Sequence, residues 1–245
     1  MVAASQWTRL IGGVAFVFAL FHWSAQALGS DRGQAGLFVG LLVVTATLAV
    51  ERVIFGQPLA HAARSVGLGR PTPLGMAVAA IVCLALVLIV PLFSRIVHAR
   101  ATLLAGWWWL LPGLFAQAGI AEEVLFRGYL FGRLRRGRSF WRAVWLSILP
   151  FAAVHLVLFA TMAWPIALAA LLLSIVLSIP LSHLFELGGG TIWAPALLHC
   201  VVQGTVKVVA FPDTNGGVFP LVWMAGSAML PLLVLAVPRQ RAWGA

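Results

Sequence analysis

Long apolar runs broken by Pro, Gly and Arg divide the sequence into eight segments. They lie at roughly 10–28, 35–55, 74–97, 103–132, 141–160, 163–184, 191–210 and 217–237. A helix crosses a bilayer with ~20 apolar residues, so the pattern predicts an all-α, polytopic membrane bundle of about eight transmembrane helices. The fourth run is too long for one straight span, which implies an interfacial piece or a strong tilt. In the first run, Ala25-Gln26-Ala27 resembles a signal-peptidase site. The apolar stretch before it is long, however, and only Arg9 precedes that stretch, so an uncleaved first span is expected.

Composition closes the other routes. The chain has 245 residues, 62% apolar and 9% charged, with a mean hydropathy of +1.03. Soluble domains are ~45–50% apolar and ~25% charged, so a soluble enzyme, a disordered chain and a disulfide scaffold are excluded. Eight spans leave too little chain for a separate soluble domain, and residues 1–245 read as one membrane domain. The formal charge of +10 is almost all arginine, Lys207 being the single lysine.

The arginines fall between the apolar runs, which argues for orientation in the membrane and against a nucleic-acid partner. With eight spans both termini share a side. That side holds Arg9, Arg52, Arg64, Arg70, Arg133, Arg135, Arg136, Arg138, Arg142, Arg239 and Arg241; the other holds Arg32, Arg95, Arg100 and Lys207. The positive-inside rule then makes both termini cytoplasmic. Arginine in place of lysine, with short loops, looks bacterial, so an inner (cytoplasmic) membrane is expected. Cys83 and Cys200 sit in separate apolar runs, without CxxC spacing.

Ionisable groups inside spans are costly and usually functional. Glu122 and Glu123 are adjacent in the fourth run. On an α-helix neighbours point ~100° apart while residues four apart share a face. Glu123 therefore pairs with Arg127, and Glu122 looks elsewhere. The fifth run places Phe151 and His155 four apart, after Pro150; the seventh places His199 and Gln203 four apart. At ~1.5 Å per residue, Glu122, His155 and His199 reach comparable depth, so one carboxylate, two imidazoles and one amide can converge in a single cavity. The remaining histidines read as bland. His22 is a packing residue, His61 and His98 lie in loops, and His183 is near a span end, where interfacial placement suffices.

These residues resemble a known family. Glu122-Glu123-Val-Leu-Phe-Arg127 looks like the EExxxR motif of the CAAX-protease and bacteriocin-processing (CPBP) intramembrane endopeptidases, and Phe126-Arg127-Gly128-Tyr129-Leu130 fits its usual surroundings. Phe151-Ala-Ala-Val-His155 looks like the FxxxH motif. Gly190-Thr-Ile-Trp-Ala-Pro195, leading to His199, is similar to the third motif. The resemblance covers roughly 103–210 and implies a catalytic core there, in helices 4, 5 and 7. Residues 1–100 would be peripheral N-terminal spans, and 217–237 a last span. The third motif usually reads HxxxN; here Gln203 replaces the Asn, keeping the amide but extending it by one methylene.

The resemblance implies that Glu122, assisted by His155, activates water, that His199 and Gln203 stabilise the oxyanion, and that Glu123, Arg127 and Phe151 support the site. A buried carboxylate is a stronger base, and donors aimed at a developing oxyanion are worth a few kcal/mol each. No cofactor is expected, although Glu122, His155 and His199 are also a conceivable three-ligand zinc set. The partners implied are the bilayer and a membrane-associated protein or peptide substrate, such as a peptide precursor or a C-terminal anchoring segment. Two other readings remain: a non-cutting scaffold of the same fold, and a proton-coupled transporter, against which the missing inverted repeat argues.

Overall fold

The computed structural model describes residues 4–28, 33–212 and 217–239. Arg32 and Arg241, used above for orientation, lie outside them. In a bilayer every backbone polar group must be satisfied within the protein, which leaves helices as the natural solution for an apolar chain. The elements are α1 (Ala4–Ala27), α2 (Gln34–Phe55), the short α3 (Leu59–Ser65), α4 (Pro73–Val87), α5 (Ile89–Ile96) and β1 (Thr102–Leu103). Next comes a continuous helical stretch made of α6 (Trp107–Leu114), two π-helical segments (Phe115–Ala121 and Val124–Phe131) and α7 (Gly132–Arg135). Then follow α8 (Phe140–His155), α9 (Leu158–Thr161), α10 (Trp164–Leu187), α11 (Trp193–Val208), β2 (Val209–Ala210), α12 (Val218–Met229) and a 3-10 turn, Leu230–Ala236.

Local chemistry sets several boundaries. Thr72 caps α4, accepting from the Gly75 amide at 3.2 Å, with Pro73 in the first turn. Ser139 likewise accepts from the Arg142 amide, which starts α8. Gly56 closes α2 at a left-handed φ of 65°.

Among the described residues, six helices are long and apolar enough to cross a membrane: Gln6–Ala27, Ala35–Phe55, Pro73–Ile96, Phe140–Thr161, Trp164–Leu187 and Val218–Ala236. They coincide with six of the eight expected runs. The other two, 103–132 and 191–210, are also helical, and they hold Glu122, Glu123, Arg127 and His199. The excess length of the fourth run has a physical explanation here. A π-helix closes i→i+5 hydrogen bonds, so more residues occupy each turn and the segment shortens.

Both polar helices run between two ends of the bundle. At one end β1 pairs antiparallel with β2, Thr102 opposite Ala210 and Leu103 opposite Val209. At the other, Arg133 forms a two-pronged ion pair with Glu51, and Glu186 receives Arg135 and Arg239. Arg138 lies over the Trp7 ring at 5.4 Å. Trp7 and Arg239 thus share the arginine-rich end, as an even number of crossings requires. Two apolar clusters fill the bundle. One joins α1, α2, the π-helical stretch and α8; the other joins α4, α10, α11 and α12. The polar centre lies where they meet.

Candidate functional site

Two π-helical segments flank Glu122 and Glu123. Such segments are rare and concentrate at functional sites. Between them Glu122 and Glu123 keep α-helical backbone angles. Both reach His199 on α11. Its Nδ1–H donates to Glu123 Oε1 at 2.7 Å, and its Nε2 lies 3.8 Å from Glu122 Oε2. The same Glu123 oxygen accepts from Arg127 Nη1 at 3.1 Å. Glu123 and Arg127 are fully enclosed, with 0% and 2% side-chain exposure, while Glu122 keeps 16%. The spare atoms of the pair, Glu123 Oε2 and Arg127 Nη2, are buried without a protein partner.

The Glu123–Arg127 pair is as expected. Its extension to His199 is not. On an ideal α-helix Glu123 and Glu122 serve different faces, and His199 was assigned Gln203 as its neighbour. In the structure Gln203 Oε1 instead accepts from Lys207 Nζ at 2.9 Å, one turn further along α11. That contact was readable from the four-residue spacing. The convergence on His199 was not, because no sequence signal here announces the π-helical turns.

Phe151 packs directly against Arg127. The Arg127 guanidinium lies 4.6 Å from its ring centroid, and Phe126 packs edge-on at 4.5 Å. His155 packs edge-on against the same ring, with the centroids 4.8 Å apart. Its Nδ1 lies 2.8 Å from the Phe151 carbonyl. A carbonyl only accepts, so Nδ1 carries the proton and Nε2 the lone pair. The structure therefore gathers Glu122, Glu123, Arg127 and His199 tightly, with Phe151 and His155 alongside. His22 stacks on Phe18, the packing role expected of it. His183 differs: it is buried, and its Nε2–H donates to the Val237 carbonyl at 2.9 Å.

The site is closed towards the arginine-rich end. Every residue of Val124–Phe131 is buried. The turn after α3 lies across this end, where Ile192 N–H donates to the Gly67 carbonyl and Trp193 Nε1–H to the Gly69 carbonyl. A Cβ at Gly128 would overlap the Val66 carbonyl, so only glycine permits this approach.

A helical bundle with a Glu–Glu–Arg–His centre at mid-helix defines a polytopic membrane protein with a buried polar site. Residues 104–205 match the family described as type II CAAX prenyl endopeptidase Rce1-like, so this part of the chain is similar to the CAAX-type proteases. The matched stretch is the one that carries the three motifs. No curated protein and no solved structure matches the chain.

Proposed function

We propose that the chain is an intramembrane endopeptidase that hydrolyses a peptide bond in a membrane-associated substrate. The observation that carries this reading is His199, held by Glu123 and faced by the partly open Glu122, inside the family-matched segment. Glu122 takes a proton from water as the water oxygen attacks the scissile carbonyl, and His155 assists. His199 Nε2, when the ring carries both protons, and the amide NH2 of Gln203 donate to the resulting oxyanion. Glu122 then returns the proton to the leaving amine as the C–N bond breaks. Glu123, fixed by Arg127, sets the orientation of the His199 ring, much as the carboxylate of a hydrolase triad does.

Zinc held by Glu122, His155 and His199 is the other form of this chemistry. As placed, the residues do not fit it, since among the described residues no three His, Cys, Asp or Glu side chains gather as a ligand set. The steps above therefore run through side chains alone. The family description suggests prenylated CAAX proteins as substrates; peptide precursors and anchoring segments suit a bacterial membrane. The arginine-rich end faces the cytoplasm by the positive-inside rule.

The test is Glu122→Gln, which replaces the base by an isosteric non-base. In proteoliposomes with a prenylated CAAX peptide, wild type is expected to cut and the variant to be inactive with an unchanged melting temperature. A variant with normal turnover removes Glu122 as the base. Wild type that binds the peptide and never cuts it makes the chain a scaffold.

A further inference from the structure

The arginine-rich end carries more positive charge than the fold uses. Among the described residues its carboxylates are Glu51 and Glu186. Both are already taken, Glu51 by Arg133 and Glu186 by Arg135 and Arg239. Arg138 and Arg142, which flank the start of α8, have no carboxylate partner among the described residues. Orientation in the membrane needs only net positive charge at this end, and the exposed Arg52, Arg64 and Arg70 supply it.

Arg138, in contrast, is built into place. Gly137 turns the chain at a left-handed φ of 70°. Arg138 Nη1–H then donates to the Leu134 carbonyl at 3.0 Å, and its own carbonyl accepts from Arg135 Nη1 at 2.5 Å, while its guanidinium lies over Trp7. A guanidinium has five N–H donors, so most of them stay open at this half-buried position. Ser139 follows, and its hydroxyl accepts from the Arg142 amide. Arg142 is exposed, and beside it α8 turns an apolar face outward. Trp141, Trp145 and Leu149, at four-residue steps, are 47%, 57% and 67% exposed. Arg142 shares that face, three residues from Trp145 and seven from Leu149, the latter about 10 Å along the axis.

We infer that Arg138 and Arg142 hold the phosphate of an anionic phospholipid whose acyl chains lie along Trp145 and Leu149. Guanidinium–phosphate hydrogen bonds are charge-assisted, and a donor already held in place loses less freedom on binding. Trp141 stands at the boundary between headgroups and chains, where tryptophan is favoured. The phosphate also offsets the excess charge of the Arg133–Arg142 segment, where five arginines meet the two carboxylates. A free phosphate would meet the arginines alone; the apolar stripe beside them selects a lipid. The endopeptidase reading is not needed for this site.

The test uses the purified full chain in a neutral detergent, titrated with dioleoyl phosphatidylglycerol or dioleoyl phosphatidylcholine. Native mass spectrometry gives the apparent Kd of the first bound lipid. Wild type is expected to bind the anionic lipid roughly 10-fold more tightly, the scale of one charge-assisted hydrogen bond. Arg138→Gln with Arg142→Gln removes that preference. Arg64→Gln with Arg70→Gln, which takes the same charge from the same end, keeps it. Arg142→Gln alone, at an exposed position, weakens the preference and decides the matter if the first double variant unfolds. Equal binding of the two lipids by wild type overturns the inference. So does a preference that survives Arg138→Gln with Arg142→Gln, that is unchanged in Arg142→Gln, or that falls alike in both double variants. Glycerol phosphate at equimolar concentration is expected to leave the lipid bound; displacement makes this a soluble-phosphate site and overturns the lipid assignment.

Discussion

Glu123 is the residue whose removal separates stability from chemistry. One of its oxygens serves both Arg127 and His199, and neither end of the ion pair sees solvent. Glu123→Gln keeps the shape and an acceptor oxygen but deletes the charge, leaving Arg127 as an uncompensated buried cation. Breaking such a pair from one side costs ~3–5 kcal/mol, a large part of the ~5–15 kcal/mol that holds a fold. At ~2–4 °C per kcal/mol for a chain of this size, the expected loss is roughly 6–20 °C in melting temperature. Replacing both partners, as in Glu123→Gln with Arg127→Gln, removes the stranded charge. The double variant is therefore expected to be more stable than Glu123→Gln alone. Activity should not recover with it, because His199 still lacks the carboxylate that orients its ring. Tryptophan fluorescence on heating in detergent reads the first quantity, and peptide cleavage the second. A double variant no more stable than Glu123→Gln refutes the reasoning about the pair; one with restored turnover refutes the role of Glu123 towards His199.

If Gln203 donates to the oxyanion, Gln203→Ala lowers kcat roughly 10²-fold or more with little change in KM, equivalent to ~2.7–4 kcal/mol, whereas Gln203→Asn retains measurable activity; an unchanged kcat in the alanine variant takes Gln203 out of the site. Gly128→Ala drives a methyl group into the Val66 carbonyl and is expected to lower melting temperature sharply, with Gly137→Ala, whose Cβ meets open space at a φ of +70°, as the comparison that carries backbone strain alone; equal melting temperatures for the two remove the close packing of Val66 on Gly128 as a stabilising contact.

The sequence by itself determined the helical membrane bundle, because hydropathy and length leave a backbone in lipid almost no alternative to helices. Six of the eight expected runs match span-length helices within a few residues. It also placed the Glu123–Arg127 pair, since a four-residue spacing maps to one helical face whatever surrounds it. Phe151 and the motif residues were legible as motif positions, and the family match over 104–205 falls on them. What only the tertiary structure decided depends on contacts between distant segments. That Glu123, seventy-six positions from His199, accepts a hydrogen bond from that ring follows from how α11 crosses a π-helical stretch that no local pattern announces. The closure of one end by the turn after α3, and the apolar cavity against α11, likewise arise where separate helices meet. Local periodicity fixes which face a residue takes on its own helix; which partner that face meets is set by packing among all the helices at once.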